Sequence, residues 1–145
     1  MASISEFLTA DHRRGDELFA AAAQAAERGD WAGCRQGFDA FRQVLKHHMN
    51  IEEQVLFPAF EEATRISAGP TRVMRHEHQE MRALLDRIAA AATARDAPGF
   101  RRAAEPFTAL MNQHSAKEEN VLYPMCDQAL PDMNGDKLRE MMPQP

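Results

Sequence analysis

From Phe41 onward, a core-facing position recurs every three or four residues: Leu45, His48, Glu52 and Leu56 follow. The same cadence runs through Phe107, Met111, His114, Glu118 and Leu122. Spacings of three and four place side chains on one face of an α-helix. Both stretches therefore read as helices whose apolar face is interrupted by one histidine and one glutamate.

Four long segments of the chain read as helices. Ser3 followed by Glu6 forms a capping box for the first, whose alanine-rich body runs to Arg28 and stops at Gly29. Asp30 caps a second helix from Trp31 to about Arg65, and the SAGP stretch (67–70) breaks the chain. A third helix runs to about Arg95. Asp96 caps the fourth, with Pro98 in its first turn, and Leu130-Pro131 ends it. The tail from 131 to 145 reads as one short helix or a frayed end. β-Branched residues are sparse and no apolar run alternates, so strands are not expected. Pro58, Pro106 and Pro124 fall inside helices and should kink them. With short connections, the expected fold is all-α: an antiparallel up-down-up-down four-helix bundle in residues 1–130.

An internal repeat sharpens this picture. His114 minus His48, Glu118 minus Glu52 and Pro124 minus Pro58 all equal 66. The same shift links His12 to His78, Leu18 to Leu84, Asp30 to Asp96, Gly33 to Gly99 and Phe41 to Phe107. The chain reads as two copies of a helical hairpin, about 5–65 and 71–129, facing each other with approximate two-fold symmetry. Each copy carries one histidine on its first helix and His-x-x-x-Glu on its second.

Composition removes several function classes. The 145 residues suit one domain, and a net charge of −5 without a basic stripe gives no reason to expect nucleic acid. The paired arginines Arg13-Arg14 and Arg101-Arg102 read as solvated helix faces. No apolar run approaches the roughly 20 residues of a membrane span. MASISEFLTADHRR lacks the order of a signal peptide, so cytoplasmic residence is the expectation. Cys34 and Cys126 match neither a disulfide framework nor an iron–sulfur ligand spacing.

The candidate chemistry lies on the apolar faces. A buried glutamate without a partner is costly, and two facing each other repel. A pair of divalent cations removes both problems, with His12, His48, His78 and His114 as nitrogen ligands and Glu52 and Glu118 shared between the ions. One histidine on an apolar face is usually a core residue that has found a hydrogen bond. Six polar positions related by one shift are not explained that way. Imidazole and carboxylate without thiolate favour non-haem iron, with manganese or zinc possible. Glu53 and Glu119, five residues after their histidines, read as solvent-facing or supporting groups. His47 and His76 read as surface residues, and the methionines, Met74 and Met81 among them, as core filler.

The phrases "TADHRRGDEL", "HHMNIEEQVLFP", "RHEHQEMRALL" and "QHSAKEENVLYP" resemble the hemerythrin-like (HHE cation-binding) family over about residues 5–128. The resemblance implies a bundle around an oxo- or hydroxo-bridged di-iron centre. Glu52 and Glu118 would bridge, His12 and His48 would hold one iron, and His78 and His114 the other. Oxygen-carrying members have a fifth histidine one turn before the third-helix ligand, where this chain has Met74. The sequence therefore resembles the H-HxxxE-H-HxxxE subgroup of bacterial hemerythrin-like proteins, iron-centre repair proteins and a eukaryotic iron sensor. No counterpart of the repair proteins' cysteine-bearing N-terminal domain stands in these 145 residues.

Three functions compete on these residues. The first is binding or sensing of oxygen, nitric oxide, peroxide or iron itself. The second is an enzyme that reduces peroxide or nitric oxide, or donates iron to damaged centres. The third is a metal held for structure alone. With two histidines and two shared carboxylates per iron, each ion should keep room for a small exogenous ligand. The rival is that His47, His76 or Glu77 completes one shell, with a π-bulge bringing His76 inward. No positioned acid, base or substrate pocket is legible, so whether the chain is an enzyme stays open. No protein partner is implied.

Overall fold

The computed structural model describes residues 2–142. Its helices are α1 (Ile4–Glu27), α2 (Trp31–Ile51), α3 (Phe57–Thr64), α4 (Pro70–Thr93), α5 (Ala97–Lys117), α6 (Tyr123–Ala129) and α7 (Gly135–Met141). π-Helical turns at Glu52–Leu56 and Glu118–Leu122 join α2 to α3 and α5 to α6. The bundle thus has four rods: α1, α2–α3, α4 and α5–α6. α1 packs along α2 and α4 along α5, giving two antiparallel hairpins.

The ends of the rods show why the sequence breaks where it does. The Ser3 hydroxyl accepts from the Glu6 N–H, and the Glu6 carboxylate accepts from the Ser3 N–H. Asp30 and Asp96 accept from the N–H groups of Gly33 and Gly99 at 2.9 and 3.0 Å. A Cβ on either glycine would collide with the capping carboxylate. The two hairpin turns also share one backbone shape, with Gly29 at φ 75° and Arg95, its equivalent, at φ 55°. At the far end, Asp127 accepts from the N–H groups of Ile4 and Ser5, tying the start of α1 to α6.

The prolines act differently from one another. Pro58 and Pro124 are the second residues of α3 and α6, directly after the π turns. There the ladder has already widened: the Phe57 N–H donates to the Glu52 carbonyl, and the Tyr123 N–H to the Glu118 carbonyl. The Glu53 carbonyl, whose five-residue partner would be Pro58, accepts from the Arg75 guanidinium at 3.4 Å. Pro106 lies exposed within the uninterrupted α5.

Two apolar clusters fill the interior. One gathers Phe38, Phe41, Leu45, Met81, Leu85, Ile88, Phe107 and Met111. The other gathers Ile4, Leu8, Ile51, Leu56, Phe57, Phe60, Met74, Leu122, Tyr123 and Cys126, and Leu138 of α7 caps it. Cys34 and Cys126 are buried free thiols, and burial, with nearby carboxylates, pushes Cys126 up to about 12. Along each rod the site histidine falls between a residue of one cluster and a residue of the other: Met111 and Leu122 flank His114, for example. Among the described residues, no helix is long and apolar enough to cross a membrane.

Candidate metal centre

All six residues singled out in the sequence meet in this polar layer. His12, His48, Glu52, His78, His114 and Glu118 are between 0% and 4% exposed. The rings pair as the repeat implies, with His12 and His48 centroids 4.8 Å apart and His78 and His114 4.9 Å apart. Each of these four histidines turns its Nε2 toward a central carboxylate. His12 and His114 face Glu118 Oε1 at 3.1 and 3.2 Å, and His78 and His48 face Glu52 at 3.1 and 3.3 Å.

The opposite ring nitrogens explain the consequence of that geometry. His78 Nδ1 is held by Glu53 Oε2 at 2.6 Å and His12 Nδ1 by Glu119 Oε2 at 2.7 Å. His114 Nδ1 is held by Glu77 Oε1 at 2.9 Å and His48 Nδ1 by Asp11 Oδ2 at 3.3 Å. These carboxylates obey the same shift, since 119 − 53 and 77 − 11 both equal 66. Each is backed by a cation: Arg82 on Glu53, Lys117 on Glu77, Arg13 on Glu119 and Arg14 on Asp11. An imidazole whose Nδ1–H donates to a carboxylate presents a lone pair at Nε2. Four such lone pairs converge on two carboxylates, and only positive charge between them makes this stable.

Without a metal, protons must supply that charge. Burial lowers the basicity of His48, but the charge of Glu52 and the Asp11 contact lift it well above its ordinary value. His78, opposed by burial and lifted by Glu52 and Glu53, reaches about 9. Burial raises Glu53, while hydrogen bonds from His78 and Arg82 hold it at about 2.

The residues fit a metal pair better than they fit one another. Glu52, His78, His114 and Glu118 each offer one ligand atom within 4.8 Å of the others, as do His12, His48 and Glu118. Glu118 thus belongs to both groups. Glu52 Oε1, His78 Nε2 and Glu118 Oε2 are buried without a hydrogen-bond partner. Glu52 Oε1 and His78 Nε2 lie 3.1 Å apart, yet their geometry is not that of a hydrogen bond. Both atoms belong to residues whose ligand atoms gather within 4.8 Å of one another, the spacing that ligands of one ion require.

Several residues take other places. His76 is exposed and pairs with Glu80 at 3.0 Å, and the π turns begin at Glu52 and Glu118 instead of near His76. Glu77 is engaged by His114 Nδ1 and Lys117, on the outer side of the ring. His47 is half-buried, with neither ring nitrogen hydrogen-bonded. Met74 is buried in the apolar cluster. The sequence reading missed Asp11 and Glu77 as supports, although the 66-residue shift pairs them. It also missed Tyr123, whose hydroxyl donates to Glu52 Oε2 at 2.5 Å. In a π turn the fifth residue returns to the starting face, so Tyr123 stands over Glu118, a position that a regular helix would turn away.

An all-helical bundle with buried histidine–glutamate clusters is a cation-binding architecture. Residues 3–126 match the hemerythrin HHE cation binding domain, and the chain belongs to that family. It is 35% identical over 89 residues to an uncharacterised protein of Mycobacterium tuberculosis, and equally to one of Mycobacterium bovis. Those matches cover 57% of this chain and 34% of each relative. It is 43% identical over 61 residues to an iron–sulfur cluster repair protein of Edwardsiella ictaluri, covering 39% of this chain and 28% of that protein. The chain therefore matches only about a third of the length of these curated relatives. No solved structure matches it significantly.

Proposed function

We propose that the chain is a non-haem di-iron protein that binds or senses oxygen, nitric oxide, peroxide or iron itself. The observation that carries this reading is the set of four imidazole Nε2 atoms facing two buried carboxylates, with all four Nδ1 atoms tied outward. Glu52 and Glu118 would be shared between the ions, with His12 and His48 serving one and His78 and His114 the other. Neither cysteine belongs to either cluster, which favours iron, manganese or zinc held by nitrogen and oxygen over a thiolate site. Iron so held supplies redox-active positions with exchangeable ligands. The chain's own residues fix the imidazoles, exclude bulk water and restrict entry to small molecules, because every site side chain is buried.

A second reading, iron donation or reduction of peroxide or nitric oxide, draws support from the likeness to the iron–sulfur cluster repair protein. Anaerobic iron loading followed by optical and Mössbauer spectroscopy, with oxygen, nitric oxide and peroxide added in turn, tests the first. Spectra should change with at least one of them. Spectra that respond to none favour a metal held for structure. Sustained turnover that disappears in His78→Ala favours the enzyme.

A further inference from the structure

The shift that relates the ligands pairs Tyr123 with Phe57, since 123 − 57 = 66, so beside the ligands one half carries a hydroxyl that the other lacks. Both rings are fully buried, and each lies beside a site histidine. Phe57 is 5.9 Å from His78 and Tyr123 is 5.7 Å from His12, centroid to centroid. The rings fill equivalent space, so at this position the two halves differ by the hydroxyl alone. It points into the cluster. Its oxygen lies 3.2 Å from both His12 Nε2 and His48 Nε2, 2.5 Å from Glu52 Oε2 and 2.9 Å from Glu118 Oε1. One O–H can donate to only one of these four neighbours at a time. The oxygen stands where ligand atoms of His12, His48 and Glu118 come together. In the other half no hydroxyl intervenes, and Glu52 Oε1 and His78 Nε2 have no hydrogen-bond partner.

We propose that Tyr123 is a further metal ligand, its phenolic oxygen joining His12 and His48 at one position and making it unlike the position served by His78 and His114. This rests on the dinuclear reading above. On ligation the O–H bond is exchanged for a metal–oxygen bond and the proton passes to solvent; no electron moves. A phenolic oxygen is a hard ligand suited to ferric iron, and it adds a donor beside His12 and His48 where Phe57 adds none beside His78. The two ions then differ in ligand count, and the His78–His114 side keeps the freer position for an exogenous molecule.

The chain contains a single tyrosine, so any tyrosinate signal from the loaded protein belongs to Tyr123. Wild type and Tyr123→Phe should be loaded with ferric iron, assayed for metal content, and examined by visible absorption and resonance Raman spectroscopy. The expected result is two ions in wild type, with a tyrosinate-to-iron charge-transfer band and enhanced phenolate ring modes that Tyr123→Phe lacks. Two ions in wild type without that signature overturn the ligand role and leave the di-iron reading standing. Fewer than two ions in wild type overturn both. Should Tyr123→Phe fail to fold, the wild-type spectrum alone decides.

Discussion

His78 Nδ1 stands 2.6 Å from Glu53 Oε2, while the same ring turns its Nε2 toward Glu52, 3.1 Å away. One carboxylate thus aims the imidazole that a second would share with a metal. Outer partners of this kind typically contribute 10- to 100-fold in metal affinity. Glu53→Ala should therefore weaken metal binding by about that factor, and Glu119→Ala should do the same through His12. Chelator-competition titrations measure both, and losses under about twofold would show that the rings hold their orientation unaided.

The pH dependence of the metal-free protein follows from the same pair. The carboxylates around His78 overcome burial and raise it from 6.5 to about 9, so its contribution to stability is complete below pH 6.5 and is lost as pH rises through 9. Glu53, raised by burial but drawn down more strongly from 4.5 to about 2, contributes fully above pH 4.5 and loses that contribution as pH falls through 2. Metal takes the deprotonated imidazole. Melting temperatures should therefore show the metal-loaded form gaining on the metal-free form between pH 6.5 and 9. A gap between the two forms that stays constant over that range contradicts the proton-for-metal exchange.

The hairpin turns allow a test unconnected with metal. Arg95 holds φ 55° where its repeat partner is Gly29 at φ 75°. A left-handed conformation costs a residue with a Cβ roughly 1–2 kcal/mol. Arg95→Gly should raise stability by up to about 1 kcal/mol in chemical denaturation, and Gly29→Arg should lower it similarly. Equal stabilities would mean that the Arg95 side chain contributes contacts that offset its strain.

Much of the site was legible because α2 and α5 stay regular up to Glu52 and Glu118, where the π turns begin. His48 with Glu52, and His114 with Glu118, are four residues apart, and a 66-residue shift repeated without a gap is a strong signal from one sequence. Asp11 and Glu77 obey the same shift, but as different residue types they signal it more weakly. Each precedes a histidine by one residue, on a different helix, and their contact arises only when the hairpins close. The π turns were not legible either. They alter the count of residues per turn after Glu52 and Glu118, and so bring Phe57 and Tyr123 inward. The kinks expected at Pro58 and Pro124 were thus tied to a change in helical pitch that serves the site.

The most direct test of the central claim is the number of metal ions per chain. Metal-free protein reconstituted anaerobically with iron, freed of excess and analysed for metal and protein together, should hold two ions at saturation. Glu118→Ala should hold no more than one, because Glu118 belongs to both ligand groups. One ion per chain in wild type, or two ions in Glu118→Ala with an unchanged melting temperature, would contradict the dinuclear account.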